Sequence, residues 1–216
     1  MASTKTLSNM LAYLRNILTS VQGGHWSQDE LIAYLNSAQK DVAVKLPEKL
    51  LRGLVGNHPI TIGEDETEIA HPSRYLKFIG GYRQRTTETT KRPMLETSYA
   101  DIIDKEANHI NTENIDAYFA DIGTVFVIYP DGDVDETMRI KYVITPVDMS
   151  ALTDTISIDD ICYEWVIYYA AFLACLKDFQ PRANDFLAIL DKKVMETLMR
   201  FNIKDKIVFS NPQPNK

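Results

Sequence analysis

The stretch HWSQDELIAYLNSAQKDVAVKLP, residues 25–47, decides how this chain begins to fold. Ser27 followed three residues later by Glu30 is the pattern of a capping box, in which hydroxyl and carboxylate satisfy orphan N–H groups at a helix start. Leu31, Tyr34, Leu35, Ala38, Val42 and Leu46 then recur at three- and four-residue spacing, so they line one helical face. Pro47 marks the end, because the residue before a proline is pushed out of the helical region. Upstream, residues 6–21 place Leu7, Met10, Leu11, Leu14, Leu18 and Val21 on one stripe, and Gly23-Gly24 supplies the turn between the two segments. Together they predict an antiparallel helical hairpin.

Downstream the pattern changes at Leu54. Residues 58–62 alternate as a strand, 63–66 form an acidic turn, and 67–70 read as the return strand. Residues 75–81 and 82–87 make a further extended stretch, while Tyr99, Ile102 and Ile103 suit a short helix within 94–105. Strands are expected at 117–120 and 124–129, and at 138–144, where Met138, Ile140, Tyr142 and Ile144 share a face. Pro130-Asp131-Gly132 reads as a hairpin turn, with Pro presetting φ and Gly accepting a positive φ. The middle is thus expected to be an antiparallel β-unit of about five or six strands.

Residues 157–160 offer a second capping-box-like start, before a broad apolar face of Ile161, Trp165, Tyr168, Tyr169, Phe172, Leu173 and Leu176. Pro181 suits the first position of a last helix carrying Phe186, Leu187, Leu190, Val194 and Leu198. Past Phe201 the chain becomes IKDKIVFSNPQPNK, a polar tail around the apolar triplet Ile207, Val208 and Phe209. The fold class expected is α+β: N- and C-terminal helices forming a bundle with an inserted antiparallel β-unit. The bundle takes residues 1–50 and 155–202, the insertion 54–150 and the tail 203–216.

At 216 residues, 45% hydrophobic and 25% charged, the composition is that of an ordinary globular chain, and it can bury roughly 70% of its unfolded surface without a staple. A net charge of −7 argues against general attraction to nucleic-acid phosphates. Arg83, Arg85, Lys91 and Arg92 cluster locally and read as a solvated hairpin tip, or as a local anion contact. The N-terminus lacks a signal-peptide core, and no run approaches the ~18 apolar residues of a membrane span, so a soluble chain made in a cytoplasm is expected. Cys162 and Cys175 sit about 20 Å apart if they share one helix, beyond disulfide reach, and read as reduced core residues.

Chemistry is scarce. No phosphate-cradling glycine loop, nucleophile elbow or HExxH pair occurs, and His25, His58, His71 and His109 lack partners at ligand spacing. The string from Asp131 to Glu136 starts like a calcium loop, but Glu136 stands where Gly is required and Tyr142 where the closing Glu belongs. Trp165, Tyr168 and Tyr169 read as core aromatics, since a base-stacking platform needs a cationic groove. No enzyme activity, cofactor or metal is expected.

The Trp-Ser cap, the acidic first turn and the phrase ELI.YLN.AQ over residues 30–39 resemble the signature of head-to-tail adaptor (connector) proteins of short-tailed bacteriophages and related viruses. FVIYP at 126–130, IKYVITPVDM at 140–149 and YEWVIYYAAFLACLKD at 163–178 resemble further phrases of that family, in the same order. The chain departs from the family pattern around Pro93 and over 99–114, where the connection is longer. The resemblance implies a structural virion protein at the head–tail junction, assembled in the host cytoplasm. It implies a dodecameric ring beneath the portal protein, which extends the DNA channel and presents a surface to tail or nozzle proteins. DNA then passes without specific binding. We assign the tail, with Ile207, Val208 and Phe209, to the portal, since an apolar triplet in a polar segment can order on a partner; a disordered end is the alternative. Competing readings are another tail-completion or gatekeeper component, or a non-viral intracellular binding module.

Overall fold

In a computed structural model of the chain, the residues described are 4–19, 25–51, 53–85, 89–108, 117–132, 136–177, 181–205 and 207–209. In chain order the elements are α1 (Leu7–Leu18), α2 (Gln28–Lys45), β1 (Val55–Ile62), β2 (Glu68–Ala70), β3 (Tyr75–Arg85), β4 (Arg92–Glu96), α3 (Tyr99–Ala107), β5 (Ala117–Ile122), β6 (Val125–Tyr129), β7 (Glu136–Ile144), α4 (Tyr163–Lys177) and α5 (Ala183–Arg200). Short 3-10 turns occupy Glu48–Leu50 and Asp160–Cys162. The chain divides into two compact units, Met1–Leu54 with Thr145–Lys216, and Val55–Ile144.

In the first unit, α1 starts at Thr6, whose hydroxyl accepts from Asn9 N–H at 3.3 Å. α2 starts at Ser27 with both halves of its capping box in place: Ser27 N–H donates to Glu30 Oε2 at 2.9 Å, and Glu30 N–H to Ser27 Oγ at 3.2 Å. α4 buries Trp165, Val166, Ile167 and Phe172 on different sides, as a helix apolar all round must, and α1, α2 and α5 all pack against it. The 3-10 turn before α4 is capped by Asp159, which accepts from Ile161 N–H at 3.1 Å, and not from Ser157. Ser157 Oγ instead accepts from Val147 N–H at 3.2 Å.

The second unit is one seven-stranded sheet in the order β1-β7-β3-β4-β5-β6-β2. Alternation sends Ile60, Ile62, Phe78, Met94, Phe119, Phe126, Ile128, Met138, Ile140 and Tyr142 into a single core. β4 and β5 run parallel, and α3 is the crossover helix that such a pair requires; the other pairs are antiparallel. The edge strands β1 and β2 are consecutive in the chain, joined by residues 63–67, so the sheet curls into a nearly closed barrel.

This overturns the expected fold class. The helices are interspersed and not confined to the two ends, since α3 lies among the strands, and the sheet is a mixed, nearly closed seven-stranded barrel in place of a small antiparallel insertion: five helices and seven strands lie among the described residues. The cause is the segment from Arg92 to Lys105, where the spacing predicts a short helix around Tyr99, Ile102 and Ile103 and no strand. It holds strand β4, and Ser98 then opens α3 with a second capping box to Asp101. The turn at Pro130 also differs. Tyr129–Pro130 is cis, and Gly132 does not take a positive φ. Gly is required there because a Cβ would meet Gly63 O at 2.1 Å. A positive φ of 64° belongs to Gly123, between β5 and β6. Val21 and Gly23-Gly24 lie outside the described residues, as do Asp133, Asp135 and His109.

Arg83 departs furthest from its expected surface role. It is 2% exposed and Glu136 3%, one carboxylate oxygen lying 2.5 Å from Nη2 and the other 3.1 Å from Nε. Nη1 donates to Pro130 O at 2.5 Å and Nη2 to Asp131 O at 3.0 Å, so the guanidinium ties β3 to the turn and to β7. Burying a pair repays its desolvation only when geometry and hydrogen bonds are this complete. Arg83→Met should therefore strand a buried carboxylate and cost about 3–5 kcal/mol in urea unfolding, with much of that loss recovered in Arg83→Met/Glu136→Leu.

Candidate functional site

The polar residues of the α2 phrase converge on backbone. Asn36 Nδ2 donates to Met149 O at 3.0 Å, and Met149 N–H donates to Asn36 Oδ1 at 2.9 Å. Gln39, fully buried, donates from Nε2 to Val147 O at 2.8 Å. Lys40 adds an ion pair with Asp148 at 2.7 Å. One α2 face thereby holds the extended segment 147–149 as a neighbouring strand would. The start of the helix holds a second element: Trp26 Nε1–H donates to Ala174 O at 3.1 Å, capping the last turn of α4, and Glu30 pairs with Lys177. Those contacts hold the Glu30 carboxyl down to about 2, chiefly through the hydrogen bond from Lys177 and then those from Ser27. The motif residues are thus clamps within the fold.

The triplet assigned to a partner is placed differently from a free tail. Phe209 is buried against the rings of Tyr169, 5.2 Å away, with Lys45 Nζ 5.1 Å from its centroid. Lys45 also donates to Val208 O at 2.8 Å. Tyr169 donates in turn to Asp41, and burial beside that carboxylate pushes the phenol up to about 12. Val208 is half exposed and Ile207 half buried. The seat for Phe209 is therefore built by α2 and α4 of the same chain. Residues 206 and 210–216 lie outside the described residues.

The remaining polar groups gather in two places. His71 Nε2 lies 3.2 Å from Asp121 Oδ1 without hydrogen-bond alignment, and Tyr75 O–H donates to Asp121 Oδ2 at 2.6 Å. Burial and that carboxylate push the Tyr75 phenol up. Sequence reading missed this trio because Asp121 lies forty-six residues beyond Tyr75, although His71 and Tyr75 are near neighbours in the chain. An open cleft of about 850 Å³ beside α1, α4 and α5 is lined by Lys5, Tyr13, Asp160, Glu164, Lys193 and Arg200. Within it Lys193 pairs with Glu164 at 2.9 Å, and Lys5 lies over the Tyr163 ring. Cys162 and Cys175 are both buried and neither is in a disulfide, and burial pushes the Cys162 thiol up to about 12. Among the described residues no three His, Cys, Asp or Glu side chains converge as a metal site, and no helix is long and apolar enough to cross a membrane. Trp165 and Tyr169 are core residues, and Trp165 Nε1–H donates to Thr197 Oγ1 at 3.3 Å.

A family model described as SU10 adaptor protein matches residues 5–204. No curated protein matches the chain. The matched span contains Trp26, Ser27, Glu30, Asn36 and Gln39, and ends before Ile207–Phe209.

Two measurements check the clamps. Asn36→Ala removes both bonds to Met149 and should cost about 1–3 kcal/mol by urea unfolding; an unchanged midpoint means segment 147–149 is held by other contacts. Glu30→Gln should lower the thermal midpoint at pH 7. Because the folded-state pKa of Glu30 is depressed, its contribution is complete above the unfolded value of 4.5 and fades as pH falls toward about 2. The gap between Gln variant and parent should therefore close across that window.

Proposed function

The chain belongs to the SU10 adaptor protein family, a family of phage adaptors, and from that premise we propose that it is a head-to-tail adaptor of a short-tailed phage. In this reading copies assemble as a dodecameric ring beneath the portal, extend the DNA channel and present a surface to tail or nozzle proteins. The observation that carries it is the family match across nearly the whole chain, including the α2 clamp residues. The charge supports it. A net charge of −7 argues against general attraction to phosphates, which suits a conduit through which DNA must slide.

Residues 203–216 are the proposed portal contact. Ile207, Val208 and Phe209 then exchange their seat beside Tyr169 and Lys45 for the portal surface, trading one apolar burial for another. The experiment is reconstitution with the portal protein of the same phage, read by native mass and particle imaging. A ring docked on the portal's narrow end is the expected result, and deletion of 203–216 should abolish docking while circular dichroism stays unchanged. Undiminished docking of the deleted chain removes the tail assignment. A full-length chain that never binds portal removes the adaptor reading in favour of another tail component.

A further inference from the structure

β1, β3 and β7 together contain a single carboxylate, Glu136, and it is turned inward to Arg83. The opposite side of these strands, away from the apolar core, carries Lys77, Arg139 and Lys141. Lys91 joins them, 4.7 Å over the ring of outward-facing Tyr82. This cationic face belongs to a strongly acidic segment. Sixteen of the thirty Asp and Glu, but only nine of the twenty-three Lys and Arg, fall within residues 55–144, so this unit carries a formal charge of −7.

Acid is concentrated elsewhere on the same barrel. α3 covers the outer face of β5 and β6, where Ile102 packs with Ala120, Val127 and Tyr129. Its solvent side presents Tyr99 and Ile103, 50% and 48% exposed, beside exposed Asp104 and Glu106. Asp104 Oδ1 accepts from Asn108 Nδ2 at the helix end, 3.0 Å away, but helix stability otherwise explains neither feature. Carboxylates near a helix C-terminus oppose the helix dipole, and half-exposed Tyr and Ile leave apolar area in water. In strand order β7 lies second and the β5–β6 pair fifth and sixth of seven, so in a nearly closed barrel the cationic face and α3 lie on opposite sides.

We propose that successive copies meet through their β-units, with α3 of one copy seated on the β1–β7–β3 face of the next. Asp104 and Glu106 supply the carboxylates for Arg139 and Lys91, while Tyr99 and Ile103 bury against Pro59 and Tyr82. Two different faces on opposite sides of one unit make a heterologous contact, which propagates from copy to copy and closes into a ring when the rotation allows. A nucleic-acid occupant fits less well, because the net charge of the unit opposes approach of a phosphate backbone.

The inference rests on the ring reading and names its surfaces. The test uses the full-length chain with portal, counting copies retained per portal by native mass, with circular dichroism as the fold control. Arg139→Glu/Lys91→Glu should lower occupancy on the order of tenfold, as should Asp104→Lys/Glu106→Lys. All four changes in one chain should restore it, since each contact then pairs opposite charges again. Raising salt should weaken the parent ring in the same direction. Rings unaffected by either reversal overturn this contact while leaving the ring intact. A parent chain that stays monomeric on and off the portal overturns the ring and this contact together. If the Arg139/Lys91 loss is not rescued, and that variant alone loses retention on duplex DNA at low salt, the face belongs to nucleic acid and the proposal falls.

Discussion

The hydrogen bonds from Asn36 and Gln39 to the backbone of residues 147–149 are the constraint on which the helical unit depends. That unit is built from two stretches of chain separated by the whole of the β-unit. α1 and α2 come before the interruption, α4 and α5 after it, and α4 is the helix on which the others pack. Apolar packing alone holds α4 in place without specifying register. The amide of Asn36 fixes the register of the segment leading into α4, because it pairs with both the N–H and the C=O of one residue, Met149, as only a matched backbone neighbour otherwise can. Trp26 and Glu30 hold α4 itself, at its last turn. A helix that positions its partner by hydrogen bonds at both ends tolerates substitution in its apolar stripe more readily than in these few polar residues.

The same logic, a polar group buried so that it can address backbone, recurs at Arg83. Its guanidinium reaches Glu136 and two consecutive carbonyls, using its planar fork in several directions at once. Lysine at this position offers a point charge and cannot replace it. The β-unit thus pins an irregular turn by charge, where the helical unit pins an irregular segment by neutral amides.

Much of the local architecture was legible in residue spacing. The Ser27 cap, the stripe of α1, the alternation of β7 and the apolar girth of α4 all follow from short-range pattern, and each element formed where its pattern pointed. The illegible parts are long-range. Nothing in the spacing of Arg83, Arg85, Lys91 and Arg92 separates a buried arginine from an exposed one, since the difference lies in Glu136, fifty-three residues away. The parallel pairing of β4 with β5 was hidden because β4 pairs with each neighbour over few residues and opens on Arg92-Pro93, a poor strand start. Phe209 looked partnerless because its seat is formed by Tyr169 and Lys45, on helices read only as core and cap. The motif residues Asn36 and Gln39 stood out as a phrase, yet their targets are backbone atoms, which leave no trace in side-chain identity.

The pairing of β1 with β7 bears on how a chain with an interrupted core can fold. Ninety residues separate Leu54 from Thr145, and closing a flexible loop of that length costs roughly 4 kcal/mol of chain entropy. Val55 pairs with Val143, so once β1 and β7 zip together that loop is already closed. The second half of the helical unit then arrives tethered a few ångströms from the first, at high effective concentration, and α4 docks as if the connection were a short turn. The barrel is in this sense a molecular clasp: its strand ends convert a remote encounter into a local one. The first and last strands must therefore keep their registry.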